Sequence, residues 1–206
     1  MNKNALIVFV RKPELGKVKT RLAATVGNAA ALDIYKKLLQ HTFELTQATT
    51  TDKFIFYAGE IVEEDIWREK RYTKLLQQET DLGGRMKAAF HTVFQSGYDK
   101  VVIIGSDCPQ LTPSHLADAF KALNQVDIVI GPASDGGYYL LGMKKLQGQL
   151  FQGIEWSTPT VFAKTEKIIN QLGCSYHALE TLTDVDEEKD LPEEWRKDII
   201  RNTSAT

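Results

Sequence analysis

Apolar positions along this chain switch repeatedly between two spacings. Ala5-Leu-Ile-Val-Phe-Val10 and Val101-Val-Ile-Ile104 are unbroken β-branched and aromatic runs, the pattern of strands covered on both faces. Between them, Ala31, Ile34, Tyr35, Leu38, Leu39 and Leu45 recur at the 3.6-residue period of an amphipathic helix, predicted from about Asn28 to Gln47. Met86, Ala89, Phe90 and Val93 repeat that stripe over Gly84 to Phe94, and Gly97 stands where such a helix should stop. Lys53 to Ala58 reads as a second strand, Val62 to Arg71 as a polar helix and Leu75 to Gln78 as a short extended piece.

The second half continues the alternation. Thr112-Pro113 offers an N-cap followed by a proline at the first helical position, opening a helix to about Leu123. Asp127 to Gly131 and Tyr138 to Met143 are two strands separated by the turn-forming Ala133-Ser-Asp-Gly-Gly137. A helix over Pro159 to Leu172, a strand over Ser175 to Leu179 and a charged helix over Glu187 to Arg201 complete the pattern. Strands alternating with helices imply an α/β fold with a largely parallel sheet and helices on both faces, and the close strand pair at the Asp-Gly-Gly turn makes that sheet mixed. No repeat or Pro/Gly/Ser linker divides the chain, so residues 1–201 are expected to form one domain, with Asn202 to Thr206 a disordered tail.

Composition narrows the function classes. The 206 residues are 43% hydrophobic and 25% charged, an ordinary globular balance. With 25 basic and 27 acidic side chains the net charge is −2, so nothing global draws the chain to nucleic acid or to a membrane, and any anion site must be local. The run ending at Val10 is too short for a signal core or a membrane span, which points to the cytoplasm. Cys108 and Cys174 show no Cys-x-x-Cys or zinc spacing and are expected to be buried thiols.

The local anion site is visible directly after the first strand. Arg11-Lys-Pro-Glu-Leu-Gly-Lys-Val-Lys-Thr-Arg-Leu22 places five cations (Arg11, Lys12, Lys17, Lys19 and Arg21) where open α/β sheets bind ligands. Gly16 lets backbone approach a phosphate, and Lys and Arg supply charge and forked donors. The loop is not a P-loop, because Val18 rather than glycine precedes Lys19-Thr20. A merely solvated charged loop is the bland alternative; its position after a buried strand argues against it.

Carboxylates at other strand ends supply a partner for that loop. Gly105-Ser106-Asp107 ends the most strongly apolar strand, and Asp107 there can hold a hard divalent cation, Mg²⁺ or Mn²⁺, shared with nucleotide phosphates, or simply cap a turn. In Asp184-Val-Asp186-Glu-Glu-Lys-Asp190-Leu191, Asp186 is either a helix cap or the second metal ligand. Asp135 sits in a glycine-flexible turn beside Tyr138 and Tyr139, where it can orient or deprotonate an acceptor hydroxyl. Asp81-Leu-Gly83-Gly84-Arg85 opens a helix whose amides and guanidinium suit base, ribose or phosphate, and Trp156 opens another near a possible acceptor pocket. His41, His91, His115 and His177 are scattered and carry no nucleophile signature; Gly-x-Ser-x-Gly, His-Glu-x-x-His and Gly-x-Gly-x-x-Gly are all absent.

Taken in order, Phe9-Val-Arg-Lys-Pro13, Gly16-x-x-Lys19-Thr20-Arg21-Leu22, Asp81-Leu-Gly-x-Arg85-Met86, Gly105-Ser-Asp107-Cys-Pro109, Asp135-Gly-Gly-Tyr-Tyr139 and Trp156-Ser-Thr158 resemble a bacterial family of GT-A-type glycosyltransferases, the arsenosugar-biosynthesis type. The match runs from Ala5 to about Leu191. More distantly the chain is similar to the guanylyltransferases of molybdenum-cofactor and phospholactate metabolism, which share the Lys-Thr-Arg-like loop and the strand-end aspartate. The resemblance implies a Rossmann-like GT-A (nucleotide-diphospho-sugar transferase) fold and a Mg²⁺- or Mn²⁺-bound nucleotide or nucleotide sugar. Asp107 departs from the Asp-x-Asp of many glycosyltransferases, so a second ligand must come from elsewhere; the resemblance to the Asp-x-Asp-x-x-x-Asp-Leu ending of related transferases implies Asp186 rather than Asp184. The expected activity is glycosyl transfer to a small-molecule acceptor, with Asp135 and Lys19 catalytic; nucleotidyl transfer and non-catalytic nucleotide binding are the alternatives.

Overall fold

The computed structural model describes residues 3–197. Strands β1 (Asn4–Arg11), β2 (Asp52–Ala58), β3 (Tyr72–Leu76), β4 (Lys100–Ile104), β5 (Ile128–Pro132), β6 (Tyr138–Met143) and β7 (Tyr176–Ala178) form one sheet in the order β3-β2-β1-β4-β6-β5-β7. β6 runs opposite to β4 and β5, and every other pairing is parallel. The sheet is therefore mixed, as the Asp-Gly-Gly turn requires.

Both faces of the sheet are covered, which is why its central strands are apolar without interruption. On β1, Leu6, Val8 and Val10 belong to one core cluster, with α2 (Asn28–Gln47) and α4 (Pro113–Ala122) packed against it. Ala5 and Ile7 point the other way, toward α3 (Leu82–Gln95) and α5 (Val161–Gln171). Each such buried aliphatic side chain contributes roughly 1.5–3 kcal/mol of transfer free energy. A third cluster joins Leu22 of α1 (Thr20–Val26) to Ala31, Ile34 and Leu38 of α2, and takes Val185 and Leu191 from the C-terminal segment. No helix among the described residues is long and apolar enough to cross a membrane.

The strand order places the site. The chain steps outward from β1 to β2 and β3, then returns to the other side of β1 as β4, so the order reverses between β1 and β4. A crevice opens outside the carboxyl ends of strands at such a point. Val8 pairs with Ile104, so the loops after β1 and β4 leave the sheet side by side.

Three predicted elements differ. The expected polar helix over 62–71 is irregular, because Asp65 accepts from Trp67 N at 2.9 Å and also takes the Lys74 ammonium at 2.8 Å; this local turn competes with a helix. Within the segment read as loop, Thr20–Val26 is helical, but only Leu22 of it is buried, too little for a periodic signal. Of the expected Glu187 to Arg201 helix, Glu188–Asp190 is a single 3-10 turn, Leu191 and Pro192 interrupt it and residues 193–197 are helical; residues 198–201, like the 202–206 tail, lie outside the described residues. Cys108 is buried as expected, whereas Cys174 is only partly so.

Candidate active site

The loop after β1 turns its cations back over the strand ends. Gly16 holds φ 73, which glycine alone adopts freely, and Lys17 N donates to Glu14 O at 3.1 Å to close the turn. Lys19 follows in the left-handed region at φ 47, ψ 46, a conformation that costs a non-glycine residue on the order of 1 kcal/mol. The result is that its ammonium points inward, with the side chain only 5% exposed. Nζ lies 3.0 Å from Asp107 Oδ2, donates to Val185 O at 2.6 Å and approaches Asp186 Oδ1 at 3.5 Å. Arg21 Nη1 reaches Asp186 Oδ2 at 3.4 Å.

Lys19 thus bridges the N-terminal loop, the end of β4 and the C-terminal segment. That segment is laced into place by its backbone: Val185 N donates to Asp107 O at 2.9 Å, Ser134 N to Leu182 O at 2.9 Å, and Thr183 N to Gln110 Oε1 at 2.7 Å. Val185 is fully buried between the two aspartates and anchors both.

Three carboxylates share the strand-end edge. The Asp107 side chain is 43% exposed, yet its Oδ1 is buried and has no hydrogen-bond partner. Burial, then the charges of Asp107 and Asp135, push Asp184 up to about 7, while Lys19 opposes the shift. Burial and the neighbouring Asp184 likewise push the Cys108 thiol up to about 12. Asp135 accepts from Gly137 N at 2.8 Å, which fixes the turn before β6. Asp184, passed over in the sequence in favour of Asp186, is the residue that couples the other two.

The crevice is a cleft of about 810 Å³, lined among others by Arg11, Lys19, Thr20, Arg21, Ser106, Asp107, Asp135, Asp184 and Asp186. Tyr35, a helix-stripe residue in the sequence, reaches up from α2 to its floor: its hydroxyl accepts from Arg11 N and donates to Arg11 O, both at 2.9 Å. Burial, then the Asp107 charge, pushes it up to about 12, so it stays a neutral donor. Lys12 points instead into an adjoining recess, where it pairs with Glu60 and, at 3.3 Å, with Glu14. Gly16 also lies outside the cleft lining.

The Asp81 segment behaves differently from its sequence reading. Asp81 caps α3 by accepting from Gly84 N at 2.9 Å, so that amide is taken. Gly83 is buried beneath Trp156, and Arg85 reaches the cleft rim with its guanidinium tied to Glu79 O at 3.2 Å and Thr80 O at 2.9 Å. Neither Gly83 nor Gly84 lines the cleft. Backbone strain concentrates here: the positive-φ residues other than glycine, among those described, are Lys19 and Ser157 in the cleft and Glu79 in the recess.

Comparison with known proteins agrees with this fold. Residues 39–158 match the family described as "Uncharacterized protein conserved in bacteria (DUF2064)". A crystal structure from Desulfovibrio desulfuricans G20, described as a "putative nucleotide-diphospho-sugar transferase", is 31% identical, with a TM-score of 0.87 over 100% of this chain and 96% of that one. CMP:2-keto-3-deoxy-manno-octonic acid synthetase, solved with CTP, shares the fold at 11% identity and a TM-score of 0.60, over 98% of this chain and 100% of its own. Rv0371C of Mycobacterium tuberculosis H37Rv, solved with manganese, does so at 15% identity and 0.56, over 92% and 95%. No curated protein matches the chain.

Proposed function

Because the chain belongs to the DUF2064 family and has the fold of nucleotide-diphospho-sugar transferases, we propose that it is a metal-dependent glycosyltransferase moving a sugar from a nucleotide-diphospho-sugar to a small hydroxyl acceptor. The observation that carries this reading is the Lys19 ammonium 3.0 Å from Asp107 in a cleft that also presents Arg11 and Arg21. Cations suited to a diphosphate and a carboxylate suited to its metal ion converge at one strand edge.

The residues present fit a divalent cation. Asp107 Oδ1 is a buried oxygen with no donor, and Asp184 beside it is held against its own charge. Among the described residues no three His, Cys, Asp or Glu side chains form a complete cage. That donor set suits Mg²⁺ or Mn²⁺, which take one or two carboxylates and complete their shell with water and phosphate oxygens. We assign Asp107 and Asp184 to the metal. Asp186, the ligand implied by the resemblance, already accepts from Lys19 and Arg21 and serves the cation side.

In this reading Arg11, Lys19 and Arg21 take the charge that develops as the anomeric C–O bond to the diphosphate breaks. The acceptor oxygen forms the new bond to the anomeric carbon, and its proton passes to the Asp135 carboxylate. A bound metal supplies Lewis-acid stabilisation of the departing diphosphate.

Nucleotidyl transfer is the second reading, favoured by the CTP-bound neighbour that shares the fold over 98% of this chain. Products separate the two. Incubation with Mn²⁺, nucleotide sugars or nucleoside triphosphates, and a panel of hydroxyl acceptors is expected to release nucleoside diphosphate, read by chromatography. Pyrophosphate from a triphosphate would replace the first reading with the second, and metal-dependent binding without any product would leave a nucleotide sensor. Asp107→Ala is expected to weaken Mn²⁺-dependent nucleotide binding by about tenfold or more with the fold retained. Unchanged metal-dependent affinity in calorimetry would remove Asp107 from the site.

A further inference from the structure

The side of the cleft across the sheet from Lys19 is largely apolar, and Arg85 at its rim has its guanidinium tied to Glu79 O and Thr80 O. Leu82, Met86, Tyr138 and Trp156 line it, and Leu82 is 42% exposed, among the few large apolar side chains left open to solvent. Met86, Tyr138 and Trp156 belong to the α3 side of the sheet, whereas Val18, next to Lys19, packs on the α2 side. The cleft therefore runs from a cationic wall, across Asp107 and Asp135 at the strand ends, to an aromatic wall.

Trp156 is fixed from several directions. A Cβ on Gly83 would lie 2.4 Å from the indole, so glycine there lets the ring rest against α3. Tyr138 meets it edge-on, with centroids 6.4 Å apart and planes at 86°. Ser157 holds φ 63, which turns the chain directly behind the ring. The Asp135 turn is docked on the same loop: a Cβ on Gly136 would lie 2.1 Å from Pro159 O, and Phe162 N donates to Gly136 O at 2.8 Å. Indole and carboxylate are thereby held in one unit, as a preorganised site requires.

A donor whose diphosphate lies against Lys19 and Arg21 has its sugar and its nucleoside at opposite ends of that diphosphate; the sugar end is the one that must meet the acceptor beside Asp135, and the Asp135 turn is docked on the loop that carries Trp156. One face of a pyranose is built of C–H groups and stacks on an aromatic ring, while its rim hydroxyls suit a nearby carboxylate. Resting on the glycosyltransferase reading, we infer that Trp156 is the platform for the pyranose ring of the nucleotide sugar, with Gly83 and Tyr138 as positioning residues.

Matched ligands test this: UDP against UDP-glucose and GDP against GDP-mannose, each titrated calorimetrically with Mn²⁺. The wild-type protein is expected to bind the sugar-bearing member of at least one pair roughly tenfold more tightly than the bare diphosphate. Trp156→Ala erases that preference and leaves diphosphate affinity within about twofold, whereas Trp156→Phe, which keeps an aromatic face, retains most of it. Absence of any preference in the wild type, or its survival in Trp156→Ala, overturns the inference. So does an equal loss for diphosphate and nucleotide sugar, which would put the base on the indole. Failure of the wild type to bind any of the four ligands removes the glycosyltransferase reading itself, and the sugar platform with it.

Discussion

Lys19→Ala is expected to lower turnover by roughly 10²–10³-fold, the range seen when one preorganised donor to a developing negative charge is removed. Its ammonium is the most enclosed cation of the site, touching Asp107, Val185 O and Asp186 at 3.0, 2.6 and 3.5 Å. Arg21 is 64% exposed and reaches only Asp186 among these, so it cannot stand in for Lys19. If the ammonium meets a phosphate as proposed, nucleoside diphosphate binding should fall far more than binding of the corresponding nucleoside. Calorimetry with both ligands decides it, and equal losses would mean that Lys19 does not contact phosphate. Backbone strain is separable from charge. Lys19→Gly should lose the same activity yet be more stable than Lys19→Ala by on the order of 1 kcal/mol, since glycine adopts φ 47 without steric conflict.

What the sequence shows and hides follows from the range of the interactions involved. β1, β4 and the helix Asn28–Gln47 were legible because burial on a regular surface writes a period of its own into the apolar residues. The meeting of Lys19 with Asp107 was legible too, since both follow buried strands and a parallel sheet opens its loops at one edge. Local competition was not: Asp65 turns the 62–71 segment away from a helix through bonds to Trp67, Tyr57 and Lys74, two of them outside that segment. The choice between Asp184 and Asp186 was equally hidden, because spacing alone does not say which carboxylate meets the cations and which meets Asp107. Trp156 gave a signal, but its partner Gly83 lies far off in the chain and reads there as a helix start or a nucleotide-binding amide, not as the seat of an indole.

Asp184→Asn is expected to stabilise the ligand-free protein at neutral pH while impairing metal-dependent transfer. Burial beside Asp107 and Asp135 raises the Asp184 carboxyl from an ordinary 3.8 to about 7. Below about pH 4 it is protonated in folded and unfolded chains alike and contributes nothing to the pH dependence. Between about 4 and 7 the unfolded chain releases the proton while the folded one keeps it, so stability falls as pH rises, and above 7 the penalty is complete. An asparagine of the same shape carries no such charge, and relief on the order of 4 kcal/mol follows from the size of the shift. For a chain of this length that corresponds to a rise in Tm of roughly 8–16 °C at pH 8, shrinking toward zero near pH 4. Calorimetric scans at the two pH values read it directly, and a Tm difference independent of pH would show that the Asp184 charge is not strained in the fold. A carboxylate that weakens its own protein at working pH is understood through what it binds rather than what it packs against. Loss of metal-dependent turnover in the same, more stable variant would separate the two roles in one molecule.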